Sequence, residues 1–400
     1  MMNRSEIKRL RRDTALLYAG GHVDIEGSSP ESPGIYMSTA FVLEDLTALL
    51  HAQQNGGYMY TRDYSPNHIC LEELVAYLEE GEACVCTSSG MAAIFCGLLS
   101  LVKGGDHVLA NAALYGETYD LLENVLCDYG IETTFVDFND PAAVEAAVRP
   151  NTRLFYTEIV ANPLTVVVDI DRITETAHKH GARVMVDNTF TPGIITPLTH
   201  GVDMVVHSLT KYINGHFDVT GGAIITSREL ITRAKYFMTL FGSSLGPMEA
   251  WLALRGARTL DLRLAKQFDN AAKLAEALSK HPKIQAVHHP SLPTHPQHEL
   301  ASRMFSGGYG AMLSFAMDNS WEKANRFIKA LRVIQFVPTL GGYKTTLSHP
   351  TSTSHKDLSE EVRLQMGIHD GLIRMSVGME NPEDLIADIF QALEEPERKE

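Results

Sequence analysis

Residues 184–211 read VMVDNTFTPGIITPLTHGVDMVVHSLTK, and this stretch decides the fold. Arg183 to Val186 is short, apolar and β-branched, so it reads as a buried strand that ends on an acid, Asp187. Asp203 to Val206 is a second such run, and it delivers His207, Ser208, Thr210 and Lys211 to the same kind of edge. In a parallel α/β sheet, ligands bind beyond the carboxyl ends of the strands, so the two tips are expected to face one cavity.

A lysine, a carboxylate and two hydroxyls brought together match the needs of pyridoxal phosphate. The lysine forms a Schiff base, the carboxylate keeps the ring nitrogen protonated so that the ring can accept electrons, and hydroxyls bind the phosphate. The alternative on these residues alone is that Asp187 caps a turn and Lys211 is solvated, as most lysines are.

Strand and helix alternate on both sides of this stretch. Upstream come a helix Ile69–Leu78, a strand Ala83–Cys86 and a helix Met91–Leu101. They are followed by a strand His107–Ala110, a helix Thr118–Tyr129, a strand Thr133–Val136, a helix Pro141–Val148, a strand Leu154–Glu158 and a helix Ile170–His180. Alternation with short connections predicts a mostly parallel sheet with helices on both faces, to which Ala223–Thr226 adds a last strand. No GxGxxG follows the first strand, so a dinucleotide fold loses its main support. The turn Thr87–Gly90 opens a helix with free backbone amides, which suits either an anion or a plain N-cap.

After helices at Leu230–Phe241 and Pro247–Arg255, a long helix Thr259–His281 leads to a differently patterned end. Its strands are expected at Ile284–Val287, Ala311–Ala316, Val333–Val337 and Leu372–Val377, and its helices at Trp321–Ala330 and Pro382–Leu393. That order reads as an antiparallel or mixed sheet with helices. Arg374 lies inside the last strand, where its forked donors fit a carboxylate of the protein or of a ligand. At the other end, residues 1–63 hold one expected helix, Ile7–Tyr18, and then Gly- and Pro-rich polar chain. Such an arm cannot form its own core, so it should lie on the large domain or on a neighbouring subunit. Within it, Tyr60 and Arg62 in YMYTRDYSPN point the same way if extended, either as a paired hydroxyl and guanidinium or as ordinary loop residues.

A chain of 400 residues suggests a large and a smaller domain. With 44% hydrophobic and 21% charged residues it reads as globular. Its formal net charge of -15 argues against nucleic acid or an anionic membrane surface as partner. The longest apolar run, near Met91–Val102, is broken by Cys96, Gly97 and Ser100, and the charged start MMNRSEIKRLRRDT lacks a secretory core, so a cytoplasmic protein is expected. Five scattered cysteines suit reduced, packed thiols, Cys84 and Cys86 sharing one strand face. His288, His289, His295 and His298 are interrupted by prolines and lack zinc-site spacing, so no metal is expected.

Taken together, YMYTRDYSP, SSGMAAI, LYGET, VDNTF, HSLTKYINGH, GPMEAWLALRG, LPTHPQHEL and LIRMSVG occur in the order seen in the Cys/Met-metabolism family of pyridoxal-phosphate enzymes, which the chain resembles along nearly its whole length. The resemblance implies an aspartate-aminotransferase-like (type I) α/β fold. It implies an arm over 1–63, a large cofactor domain over 64–257 with a mostly parallel, seven-stranded type of sheet, and a smaller α+β domain over 258–400. It also implies a homotetramer made of two dimers. It makes Lys211 the Schiff-base lysine and Asp187 the partner of the ring nitrogen. Gly90, Met91, Ser208 and Thr210 become the phosphate cup, joined by Tyr60 and Arg62 of the adjacent subunit. Tyr115 is implied to stack on the cofactor ring, Asn162 to contact its 3-hydroxyl side, and Arg374 to hold the substrate carboxylate.

The implied reaction is γ-elimination from an L-amino acid: Lys211 removes the Cα proton, a Cβ proton follows, and the γ-substituent departs with a proton from Tyr115. Stacking over a cationic ring would favour ionised Tyr115. Members of the family cleave methionine or cystathionine, and others carry out γ-replacement on homoserine esters, so both reactions are carried forward.

The departures from the family pattern cluster around the substrate side chain. Glu117 stands where methionine γ-lyases commonly have Cys and other members Gly. Asp120 stands near where some cystathionine-cleaving members place an arginine. Pro338 precedes Thr339 in place of Glu or Val, and Tyr343 and Lys344 replace an apolar residue and Glu. Two like charges at ~4 Å and an effective dielectric of ~20 repel by ~4 kcal/mol, so an acidic wall should reject cystathionine's second carboxylate. It should favour a cationic tail with a good leaving group, such as that of canavanine; the alternative is that Glu117 and Asp120 turn to solvent or pair with protein cations such as Lys344, and that ordinary sulfur substrates are used.

Overall fold

The computed structural model describes residues 4–7, 9–21, 30–356 and 359–394. Seven strands form the larger sheet: β1 (Ala83–Thr87), β2 (His107–Asn111), β3 (Glu132–Val136), β4 (Thr152–Glu158), β5 (Arg183–Asp187), β6 (Met204–Ser208) and β7 (Gly222–Thr226). Their order is β1-β7-β6-β5-β4-β2-β3. The run from β6 to β3 is parallel. β7 opposes both of its neighbours, so β1 points the same way as β6. The carboxyl ends at Thr87, Glu158, Asp187 and Ser208 therefore share one edge.

The period of a strand explains why these runs read as continuously apolar. In β5, Val184 and Val186 enter the core on one face, while Met185 enters the core on the other. Helices cap themselves before covering those faces. Ser65 Oγ accepts from His68 N at 3.3 Å, Ser89 Oγ from Ala92 N at 3.1 Å and Ser227 Oγ from Leu230 N at 3.3 Å. Each such cap is worth about 1 kcal/mol.

The smaller sheet contains β8 (Ala286–His288), β9 (Met312–Ala316), β10 (Gln335–Phe336), β11 (Thr346–Ser348) and β12 (Leu372–Ser376), in the order β8-β9-β12-β11-β10. It is antiparallel except for the β10–β11 pair. Helices Leu260–Ser279, Trp321–Ala330 and Pro382–Glu394 cover it through Leu274, Phe327 and Leu385. Among the described residues no helix is long and apolar enough to cross a membrane.

Several elements differ from expectation for physical reasons. The strand expected over Val333–Val337 shrinks to two residues because Asp388 takes the preceding amides: Arg332 N at 2.8 Å, Val333 N at 3.0 Å and Ile334 N at 2.9 Å. The helix expected at Thr118–Tyr129 starts at Gly116, passes through a π-turn over Leu121–Val125 and ends as a 3-10 turn before left-handed Gly130. The single amino-terminal helix is two short ones, Arg4–Ile7 and Arg12–Tyr18, with position 8 outside the described residues. Helix Leu46–Asn55 was not anticipated, although Asp45 caps it and Gly56 ends it, because Leu46 and Leu50 pack on nothing in this chain. The arm docks on the large domain through Ala15, Leu16 and Ala19, which join the core of Leu71 and Leu74.

Asp388 is buried and holds the turn that feeds Pro338 to Leu340 into the cavity described below. Asp388→Ala strands three amides and should destabilise the carboxyl-terminal region by about 2–4 kcal/mol. A matching fall in the urea midpoint, followed by Trp321 fluorescence, checks this.

Candidate active site

A cavity of about 480 Å³ opens at the shared carboxyl edge of the large sheet, and the smaller sheet closes it through Arg374 of β12. Most residues singled out in the sequence line it. Gly90 and Met91 come from the start of the helix after β1, Ser208, Thr210 and Lys211 from the end of β6, and Asp187 from the end of β5. Tyr115, Glu117 and Asn162 form the facing wall, with Thr339 and Pro338 at its rim.

The tip of β5 divides its polar groups between two sides. Asp187 Oδ1 accepts from Thr189 N at 2.8 Å and faces the cavity. Burial raises its pKa, while the Thr189 bonds and His207 oppose the rise. Asn188 turns inward instead, donating to Glu79 Oε1 at 2.8 Å, and His207 Nε2 meets the same oxygen at 2.6 Å. This buried cluster ties the tips of β5 and β6 to the end of helix Pro66–Leu78.

Close backbone approach shapes the opposite end. A Cβ on Gly90 would stand 2.8 Å from Ser208 Cβ, and one on Gly222 would stand 2.1 Å from the Ser89 carbonyl oxygen. Only glycine lets the helix start and the two strands meet there. The amides at the start of helix Gly90–Leu101 then face the cavity beside the Ser208 side chain, a ready anion site. Thr210 Oγ1 is engaged with the Gly221 amide at 3.0 Å.

Charge in the cavity is governed by burial. Lys211 lies below the ordinary lysine range because burial and Arg374 disfavour its cation, with Glu117 opposing. Arg374 is pushed down to about 10 by burial, with Tyr212 and Tyr115 opposing. Its Nη1 donates to Asn162 Oδ1 at 3.0 Å, and its buried Nε has no partner among the described residues. An unclaimed guanidinium donor in a cavity suits a ligand carboxylate. Burial and Glu117 raise the Tyr115 phenol, opposite to the ionisation expected from stacking alone.

Four of the residues singled out do not line this chain's cavity, Tyr60 and Arg62 among them having been expected at a neighbouring subunit's site. Asp120 is exposed and accepts from Asn124 Nδ2 at 2.8 Å, one helical turn on, so it covers its own helix and not the cavity wall. Tyr60 is 44% exposed on the arm, with the Arg62 guanidinium 5.2 Å from its ring centre, and neither lines this chain's cavity. Lys344 sits 5.7 Å over the Tyr343 ring, which packs on Phe217, outside the cavity.

Other lining residues were not foreseen. Glu158 ends β4 as Asp187 ends β5, so the same signal, an acid closing an apolar run, could have found it. Thr189 follows the VDN triplet. Ser352, Thr353, Ser354 and Lys356 arrive on a loop with no local pattern.

The chain matches the family model for Cys/Met metabolism PLP-dependent enzymes over residues 13–394. The chain belongs to that family. It is 40% identical to an L-methionine γ-lyase of Fusobacterium nucleatum subsp. polymorphum, over 97% of this chain and 99% of the relative. It is also 40% identical to the canavanine γ-lyase of Pseudomonas canavaninivorans, over 98% of each. A putative O-acetylhomoserine (thiol)-lyase from Campylobacter jejuni, solved with a pyridoxyl-lysine phosphate, superposes with a TM-score of 0.91 at 32% identity, over 96% of this chain and 100% of that one. The protein is thus a PLP-dependent enzyme with the type I fold, and pyridoxal 5'-phosphate is its cofactor. The cavity fits that group: an amide-lined anion end at Gly90, an acid at Asp187 and a buried lysine between them.

Gly222→Ala should force Ser89 and the Gly90 amides apart, with roughly 1–3 kcal/mol of overpacking. Equilibrium dialysis should show pyridoxal 5'-phosphate bound at least about tenfold more weakly, with an unchanged far-ultraviolet spectrum.

Proposed function

We propose that this enzyme eliminates the γ-substituent of an L-amino acid whose side chain ends in a cationic or hydrogen-bond-donating group, as in canavanine. The observation that carries the substrate choice is Glu117, whose position on the cavity wall beside Tyr115 matches its electrostatic pull on both Tyr115 and Lys211. Glu117 shares a hydrogen bond with the Tyr115 hydroxyl and is exposed in this chain, so a substrate donor adds a further partner for its carboxylate that a thioether methyl does not supply. Asp120 does not contribute, so the preference rests on Glu117 alone.

Bound pyridoxal phosphate supplies the electron sink that makes protons at Cα and Cβ removable. The chain's own groups supply the rest. Gly90, Met91, Ser208 and Thr210 would hold the phosphate, Asp187 the ring nitrogen, and Asn162 the 3-hydroxyl side, while Tyr115 covers the ring. Arg374 orients the substrate through its carboxylate, using the donor that has no protein partner. Lys211 Nζ takes the Cα proton, and its depressed basicity leaves more free amine at neutral pH than an exposed lysine offers. Tyr115 stays protonated under Glu117 and burial, which suits it to donate its hydroxyl proton to the departing group. Thr339 borders the path of the side chain.

We further propose a homotetramer in which Tyr60 and Arg62 complete the phosphate site of a neighbouring subunit. The exposed Val42, Leu46 and Leu50 on the same arm support burial against another copy. A second reading, γ-replacement or cleavage of sulfur substrates, is favoured by Lys356, a cation on the cavity wall.

Incubating the holoenzyme with canavanine, methionine, cystathionine and O-acetylhomoserine, with and without thiol, separates these readings by their products. Canavanine should be turned over best, and Glu117→Gln should lower its kcat/KM by about 10–100-fold while methionine loses less. Efficient cystathionine cleavage without canavanine turnover would reject the charge argument. Lys211→Ala should lose the visible absorbance of lysine-bound cofactor. Tyr115→Phe should lower kcat by about 100-fold or more, and a kcat close to that of the parent rejects its role as proton donor.

A further inference from the structure

Glu158 is a buried acid with no task in the reaction outlined above. It ends β4, stands opposite Asp187 in the strand register, lines the cavity and is only 6% exposed. Among the described residues it forms no ion pair. Its partners are two backbone amides, that of Tyr115 at 2.6 Å and that of Asn162. The titratable groups that face it are Asp187 on β5, Tyr156 on β4 itself and Tyr115 on the loop after β2, all acids. Burial and Asp187 accordingly push its pKa up to about 8, while the two amide bonds oppose the rise.

A carboxylate without a counter-ion in such a place destabilises a fold. What it grips explains its presence. Tyr115 and Asn162 both line the cavity, and Asn162 Oδ1 accepts from Arg374 Nη1 at 3.0 Å. One carboxyl group therefore holds the main chain that carries the Tyr115 ring and, through Asn162, the guanidinium that comes from the other sheet.

We propose that Glu158 is a positioning residue that sets Tyr115 and, through Asn162, Arg374 for the reaction, and that it lowers the stability of the fold by being there. The kinetic part rests on the γ-elimination reading; the stability part does not.

The test is Glu158→Gln in the holoenzyme. Glutamine keeps the size and removes the charge, but its amide nitrogen cannot accept from the second backbone N–H, so one anchor is lost. Displacement of Tyr115 or Arg374 by an ångström should lower kcat/KM by about 100-fold, with a raised KM as Arg374 loosens. The visible circular dichroism of the bound cofactor should change as well.

Stability should move the other way. An acid whose folded pKa lies near 8 and whose unfolded pKa lies near 4.5 destabilises the folded state increasingly as pH rises between those values. Relative to the parent, the Tm of E158Q should therefore rise from pH 5 to 8 and then level, passing above the parent toward pH 8 despite the lost amide bond. Glu158→Asp keeps the charge but withdraws it by one methylene, and should lose turnover with no gain in Tm.

Parent-like kcat, KM and dichroism in E158Q would overturn the positioning role. A Tm below the parent at every pH would overturn the claimed destabilisation. If the parent itself turns over no γ-substituted amino acid, the functional reading fails, while the dichroism and Tm still decide the part played by Glu158.

Discussion

Everything in this molecule turns on ionisable groups buried at one edge of a parallel sheet. Asp187 and Glu158 stand side by side across the β4–β5 register, and burial raises both. Among the described residues neither forms an ion pair, and only His207 acts against the rise at Asp187 as a charge. The site thus presents an acidic end, and in the proposed reading a protonated ring nitrogen of pyridoxal phosphate would meet Asp187 there. The sheet topology makes this possible, because β7 runs against its neighbours and so returns β1 to the same direction as β6. The helix start at Gly90 then lies on the same edge as Asp187 and Lys211.

The two sheets meet where the substrate must be held. Arg374 is part of a strand whose other residues pack the small domain's core, so its guanidinium is carried on a rigid element. Its bond to Asn162 crosses from one sheet to the loop beyond the other. A buried arginine whose Nε has no partner among the described residues is costly unless an anion arrives, which in the proposed reading would be the amino-acid carboxylate. Lys211 is made less basic by burial and then by that same guanidinium, so in the proposed reaction the residue that would bind the carboxylate also prepares the proton acceptor.

Substrate choice rests on fewer groups. Glu117 lines the cavity and Asp120, one turn later, does not; both are exposed in this chain, and Asp120 bonds Asn124 on its own helix. Lys356 brings a positive charge to the cavity wall from a loop without a recognisable local pattern. The wall is therefore mixed in sign, and specificity depends on which charge lies nearer the leaving group.

The sequence by itself determined the alternation of strands and helices, the acid and lysine closing neighbouring strands, and the cofactor chemistry they imply. Those features are local: a period-two apolar run shows where a strand is buried, and its last polar residue shows what stands at the tip. Short elements escaped this reading. β11 has three residues, helix Leu46–Asn55 leaves Leu46 and Leu50 largely exposed, and the strand expected from Val333 was shortened by amides bonding to Asp388, more than fifty residues away. Only the tertiary structure decided that Glu158 joins Asp187, that Lys356 enters the cavity and that Asp120 leaves it. Each depends on the packing of segments distant in the chain, and on the burial that makes a buried carboxylate differ from an exposed one.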